Sequence, residues 1–153
     1  MLKRDGCTEE LDEIVKRRPH IINSLRSSLN YTLLMISFKY QKMFEYLIKK
    51  PQDLSVTTRG GYNILHIFIK TNVGDKLEYL DSHRITNEIM NKQSENFLDT
   101  PLHLAVVEND QTAIKWLLVK GADSSIKNSL GKTPYDLCYD ENTKKLFSNQ
   151  EVK

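Results

Sequence analysis

Four histidines and two cysteines are the side chains of this 153-residue chain best suited to metal binding or nucleophilic catalysis. His66 and His103 open two similar apolar runs, Asn63-Ile64-Leu65-His66 and Thr100-Pro101-Leu102-His103, and such a pair raises the question of a shared metal. His20 and His83 have no carboxylate or thiol at ligand spacing, so zinc finds no site there. Cys7 and Cys138 lie far apart without a C-x-x-C, which fits reduced thiols. Cys138 reads as a small buried hydrophobe rather than a nucleophile. Gly60-Gly61 reads as a turn, and the chain carries neither a G-x-S-x-G nor a Walker loop. The expectation is a protein that is not an enzyme, with no catalytic residue, metal or cofactor.

The elements that must position these residues are clearest in TPLHLAVVENDQTAIKWLLVKGAD, from Thr100 to Asp123. Thr100 is a good N-cap and Pro101 suits the first helical position, so a helix should run from there to about Glu108. Asn109 and Asp110 break it. A second helix from about Gln111 to Lys120 puts Ala113, Ile114, Leu117 and Leu118 on one stripe, and Gly121 ends it. Trp116 lies beside that stripe and reads as packing between units.

This segment resembles the ankyrin repeat, whose T-P-L-H-x-A opening and L-L-x-x-G-A-D close are both intact. The resemblance implies that Thr100 and His103 hydrogen-bond across the first helical turn, and that Ala105 is small so the paired helices can approach closely. It also implies that each histidine serves its own turn. His66 and His103 should then lie roughly 10 Å apart, one helix-to-helix spacing, which separates them as metal ligands.

The pattern recurs. Thr133-Pro134 stands 33 residues after Thr100, the ankyrin period. Asn63 to Phe68 aligns with the same opening 37 residues before Thr100, so that unit is four residues too long. Its surplus is expected near Ser82 to Asn96, as a longer second helix or loop. Thr32 to Ser37 aligns 31 residues before Asn63, a unit two residues short. The deficit is expected between its helices, where Met43, Phe44, Leu47 and Ile48 recover the second stripe. Thr8 to Arg18 reads as a lone amphipathic helix with Leu11, Ile14 and Val15 on one side, stopped by Pro19. Ile21, Ile22 and Leu25 lead into the first complete unit. Tyr135, Leu137 and Cys138, then Leu146 and Phe147, form a short charged closing pair.

The expected fold class is all-α, an ankyrin-repeat solenoid of stacked helical hairpins with β-turn fingers. It forms one domain over 1–153: a capping half repeat 1–31, repeats 32–62, 63–99 and 100–132, and a capping repeat 133–153. Each unit has an apolar face it buries only against its neighbours.

Lys and Arg number 22 against 20 Asp and Glu, a net charge of +2, which offers no footprint for nucleic acid or a membrane surface. No N-terminal apolar stretch reads as a signal, and no run approaches the about 18 apolar residues of a spanning helix. The expectation is an intracellular protein, cytoplasmic and also nuclear, monomeric when free. Lys16-Arg17-Arg18 reads either as a nuclear-entry or phosphate-binding cluster or as a solvated helix C-terminus favoured by the dipole.

The resemblance implies a binding scaffold whose fingers and exposed first-helix face grip another protein. Position by position, that surface comprises Lys39, Tyr40, Arg59, Tyr62, Lys70, Thr71, Asn96, Phe97, Leu98, Asp99, Val107, Glu108, Leu130 and Lys132. Its N-terminal half is basic and aromatic, and the third repeat adds an acidic, apolar stretch. Where the family places Asp-Gly at a finger tip, this chain has Phe97-Leu98. Two readings follow: packing against the irregular segment before them, or contact with a partner.

Asn91-x-Gln93 followed by TPLHLAV, a lone asparagine between the helices and an overlong preceding repeat are similar to a central repeat of the IκB-type inhibitors of Rel/NF-κB transcription factors. The finger between Gln93 and Thr100 is one residue longer here. Neither a D-S-G-x-x-S motif before the repeats nor an acidic Pro/Ser/Thr-rich tail after them is present. The resemblance therefore implies an inhibitor that signalling does not remove, as in truncated virus-encoded forms. The alternative partner is a protein kinase, bound by a small ankyrin regulator of the cell cycle.

Overall fold

The computed structural model describes residues 7–38, 40–72, 74–83 and 85–148, and their side chains except at 7, 8, 11, 74–76 and 82. Its elements are α1 (Cys7–Arg17), α2 (Ile21–Ser24), α3 (Leu33–Ser37), α4 (Gln41–Ile48), α5 (Ile64–Lys70), a 3-10 segment (Gly74–Ser82), α6 (Asn87–Met90), α7 (Pro101–Val107), α8 (Gln111–Val119), a 3-10 turn (Tyr135–Leu137) and α9 (Glu141–Ser148). They pack in two rows. In the inner row α3 meets α5, α5 meets α7, and α7 meets the 135–137 turn. In the outer row α1 meets α4, while α8 meets both the 74–82 segment and α9. Thr8, the N-cap expected from sequence, lies within the helix instead, because α1 already includes Cys7. The Leu11 side chain lies outside the described side chains; Val15 of α1 is buried, and Asp12 accepts the Tyr46 hydroxyl at 2.7 Å to tie α1 to α4.

Three inner helices start the same way because their first residues are good caps. Thr32, Asn63 and Thr100 are extended, and their side-chain oxygens accept from the N–H of Met35, His66 and His103. Pro101 occupies the first turn of α7, where its missing N–H costs nothing.

The two histidines do more than their own turns require. The Nε2–H of His66 donates to the Asp99 carbonyl at 3.0 Å, and that of His103 to the Lys132 carbonyl at 3.0 Å. This places the proton on Nε2. Each Nδ1 then accepts the backbone N–H of its own cap, from Asn63 at 3.3 Å and from Thr100 at 3.1 Å. Each ring therefore joins its helix start to the following finger.

The structure moves one expected irregularity and gives another, which does lie within 82–96, an unexpected form. The two-residue deficit of the first repeat falls within its first helix, not between the helices. Helix α3 has five residues against seven in α7, while the connections at 38–40 and 108–110 are equally long. The surplus of the second repeat takes neither expected form, because α6 is an added helical turn capped by Thr86. Before it, the 3-10 segment stands where the other repeats have a second α-helix. Phe68 explains this locally: it occupies the position that Ser37 and Ala105 fill in the neighbouring repeats, and it is fully buried. A benzyl group there holds the outer layer away, and Phe44 fills the space with its ring 5.6 Å from Phe68 and 5.4 Å from Tyr79, both edge-on.

Burial lowers the pKa of His66 to about 4, and burial also lowers that of His103. Both rings stay neutral in the fold yet accept a proton in the unfolded chain near pH about 6.5. Their contribution is fully present above that value and is lost as pH falls below it, for His66 down to about 4. Urea unfolding should show stability about 2 kcal/mol lower at pH 5 than at pH 7, with His66→Gln flattening the difference. An unchanged midpoint across that interval would contradict the neutral-ring assignment.

Candidate functional site

Each inner-row element is preceded by a finger turn, at residues 27–31, 58–62, 94–99 and 128–132. Each is closed by a backbone bond from its first residue to its last: Ser27 to Tyr31 at 3.0 Å, Thr58 to Tyr62 at 2.8 Å, Ser94 to Asp99 at 2.9 Å and Asn128 to Lys132 at 2.9 Å. One residue in each is left-handed: Asn30 (φ 64°), Gly61 (76°), Leu98 (53°) and Gly131 (70°). Successive fingers bond to one another through the backbone. Arg59 N–H donates to Leu29 O at 3.1 Å, Glu95 to Gly60 at 3.0 Å, and Ser129 to Phe97 at 2.8 Å. Gly61 serves this contact, since a Cβ there would lie 2.8 Å from the Glu95 nitrogen. Gln93 Nε2 bridges two fingers, donating to Leu98 O at 2.7 Å and Lys127 O at 3.0 Å.

On this frame the expected contact residues divide into two groups. Tyr40, Arg59, Lys70, Asn96, Phe97, Leu98, Val107, Glu108, Leu130 and Lys132 are exposed. Tyr62, Thr71 and Asp99 are half-buried and have internal partners. The Tyr62 ring meets His66 edge-on at 5.5 Å and carries the Lys70 ammonium 4.6 Å above its centre. Thr71 Oγ1 donates to Ile67 O at 2.7 Å, and Asp99 Oδ1 accepts Asn128 Nδ2 at 2.9 Å. Lys39 lies outside the described residues.

Phe97 and Leu98 are 59% and 42% exposed, so packing against the preceding segment does not bury them. Leu98 also holds the left-handed conformation that Asn or Gly holds in the other fingers, a state costing a branched side chain about 1–2 kcal/mol. The finger closes over one more residue than the others, from Ser94 to Asp99. Leu29 and Leu130 are exposed on the first and last fingers, the latter at 77%, so large apolar side chains recur along the finger row. Leu29 was not among the residues expected from sequence, although its alignment with Leu130 would have indicated it.

A second feature went unread in the sequence. Because α3 is short, α5 runs on to Lys70 without a helical partner on the α3 side, and an apolar groove of about 690 Å³ opens between them. Tyr31, Leu33, Ile36, Tyr40 and Met43 line one side, and Ile67, Lys70 and Thr71 the other. Of these, Tyr40, Lys70 and Thr71 were expected. The available signal was the missing pair of residues, together with Ile36, an apolar residue left 44% exposed on an inner helix.

Three of the chemically reactive side chains, His66, His103 and Cys138, sit in structural roles. His66 and His103 are fully buried, and Cys138 is buried with its thiol toward the Pro134 carbonyl at 3.6 Å. Burial pushes that thiol above its ordinary pKa, away from the nucleophilic thiolate. The Cys7 side chain lies outside the described residues.

The ankyrin-repeat profile matches residues 32–128 in three copies. The chain belongs to the ankyrin-repeat family. Across 107 residues it is 32% identical to a putative ankyrin repeat protein of fowlpox virus, covering 67% of this chain and 30% of that protein. Over 50 residues it is 47% identical to the zebrafish (Danio rerio) ankyrin repeat and SOCS box protein 11, covering 33% of this chain and 17% of that one. The chain thus spans under a third of the length of either relative. Ankyrin repeats are protein-interaction units, generally without catalysis, and the finger row and inner-helix face are surfaces suited to that use.

The finger geometry predicts opposite effects at its two left-handed residues. Leu98→Gly should raise the unfolding free energy by about 0.5–1 kcal/mol by relieving strain. Gly61→Ala should lower it by about 1–3 kcal/mol, through both strain and the clash with the next finger. Urea denaturation of the two variants measures both, and a destabilised Leu98→Gly would contradict the strain.

Proposed function

We propose that this ankyrin protein is an IκB-like inhibitor that sequesters a Rel/NF-κB-type transcription factor, with no catalytic step of its own. The observation that carries the reading is the third finger. Its Phe97-Leu98 pair is large, apolar and unburied, and Leu98 is kept in a conformation that folding alone disfavours. The flanking motif supports the choice of partner. Asn91 Oδ1 accepts the Asp123 N–H at 2.9 Å, Gln93 bridges the third and fourth fingers, and Asn109 turns the chain between α7 and α8 at φ 53°. These residues carry the similarity to the central repeat of IκB-type inhibitors.

The proposed contact surface keeps Arg59, Asn96, Phe97, Leu98, Leu130 and Lys132 on the fingers and Tyr40, Lys70, Val107 and Glu108 at the inner-helix ends. Tyr62, Thr71 and Asp99 shape it from beneath. Similarity to a fowlpox protein supports a viral effector acting on a host factor, in the cytoplasm with access to the nucleus.

The purified chain should bind a Rel homology domain at micromolar concentration or better, and Phe97→Asp combined with Leu98→Asp should weaken binding at least about tenfold without lowering the melting temperature. Absence of binding to any Rel homology domain at that concentration would sink the inhibitor reading. Capture of a protein kinase in its place would favour the small cell-cycle regulator. Intact binding by the double variant would remove the finger from the interface.

A further inference from the structure

The groove between α3 and α5 is separate from the Phe97-Leu98 finger, and its chemistry specifies its own ligand. Leu33, Ile36 and Met43 give it aliphatic walls, Tyr31 and Tyr40 stand at its sides, and Lys70 provides a cation at its edge. Among the described residues no carboxylate lines it. Its volume, about 690 Å³, falls within the roughly 300–1,000 Å³ of pockets that enclose small ligands, enough for two or three apolar side chains.

The charge around it is one-sided. Between Ile21 and Asn72 the chain carries seven Lys and Arg against two Asp and Glu, whereas between Val73 and Asp123 it carries five against nine. Both carboxylates of the first stretch are engaged elsewhere. Glu45 accepts from Gln41 on the outer helix α4 at 2.6 Å, and Asp53 accepts from the Ser55 backbone and hydroxyl at 3.1 and 2.5 Å. The near-neutral total thus conceals a basic end containing an apolar groove.

We propose that this groove binds an extended acidic peptide segment, seating one or two apolar side chains between α3 and α5 while neighbouring carboxylates meet Lys70 and the surrounding positive field. The inference rests on the protein-binding reading and gives it a second contact point. Apolar burial supplies the affinity, and the charge supplies selectivity and speed of encounter. A single-stranded nucleic acid would also suit cations and aromatic rings. The aliphatic walls, with Lys70 at the edge, favour the peptide.

Selection of a random dodecapeptide library on the immobilised full chain tests this. Enriched sequences should carry Leu, Ile, Met or Phe next to Asp or Glu. A fluorescein-labelled enriched peptide, followed by anisotropy, should bind Ile36→Asp at least about tenfold more weakly. Lys70→Gln should weaken binding about threefold and flatten its salt dependence. Tyr40→Ala, at a residue 64% exposed, gives the same test should Ile36→Asp melt early. Phe97→Asp should leave this peptide bound.

Failure to enrich any sequence, enrichment of peptides without carboxylates, or unchanged binding by the Ile36 and Tyr40 variants would overturn the proposal. So would displacement of the peptide by a poly-dT oligonucleotide. Rel-domain binding that survives such a failure would leave the inhibitor reading in place; peptide binding without Rel-domain binding would remove that reading and keep the groove.

Discussion

The bond from a buried imidazole to the carbonyl at the end of the next finger fixes this stack. Apolar faces press neighbouring hairpins together, but such burial is non-directional and tolerates sliding. A ring held by its own cap on one side and donating to the next repeat on the other sets both distance and register. His66 and His103 bind carbonyls 33 and 29 residues away, and their burial makes an unpaired N–H costly. Finger alignment follows from it, and the backbone bonds between fingers extend the same register toward the surface. The exposed face inherits its geometry from groups that never reach solvent.

Where the imidazole is absent, the array changes character. The equivalent residue of the first repeat is Met35, which has no ring nitrogen to donate to the following finger. That junction relies on apolar packing, the bond between Arg59 and Leu29, and the Asn30 amide donating to the Thr57 carbonyl at 2.6 Å, and it is the junction beside which α3 stops early and the groove opens. At the other end the position is Asp136, whose carboxylate accepts the Thr133 N–H at 2.9 Å within its own turn. A carboxylate has no proton to offer a further carbonyl, so the ring ladder ends there. Both departures substitute a single side chain, and at Met35 the change alters how a repeat meets its neighbour.

The second repeat shows how a core residue redirects the surface. Phe68 takes the volume that a small residue leaves free elsewhere, and the outer layer above it becomes a 3-10 segment followed by α6. Trp116 then reaches across from α8 to donate to Asp81 at 2.9 Å, and Lys120 pairs with the same carboxylate at 3.0 Å. The irregular stretch is thereby tied to the third repeat, directly before the finger that carries Phe97 and Leu98. Strain at Leu98 is sustained because the turn around it is held by Ser94, Gln93 and Asn128.

Local chemistry made much of this protein readable in advance. A threonine or asparagine cap, a proline in the first turn, an asparagine or glycine in the left-handed position and an apolar stripe act within a few residues, so α7, α8 and the ankyrin identity follow from the chain alone. The exposed finger pair was also visible as a departure from pattern, although sequence left its burial open. What required the folded array were relations between residues about thirty positions apart: the carbonyl each imidazole reaches, the withdrawal of the outer layer over Phe68, and the groove beside a shortened α3. Those depend on how far two neighbouring helices extend and which volumes meet between them, and a linear sequence specifies each helix without stating what its neighbour leaves uncovered.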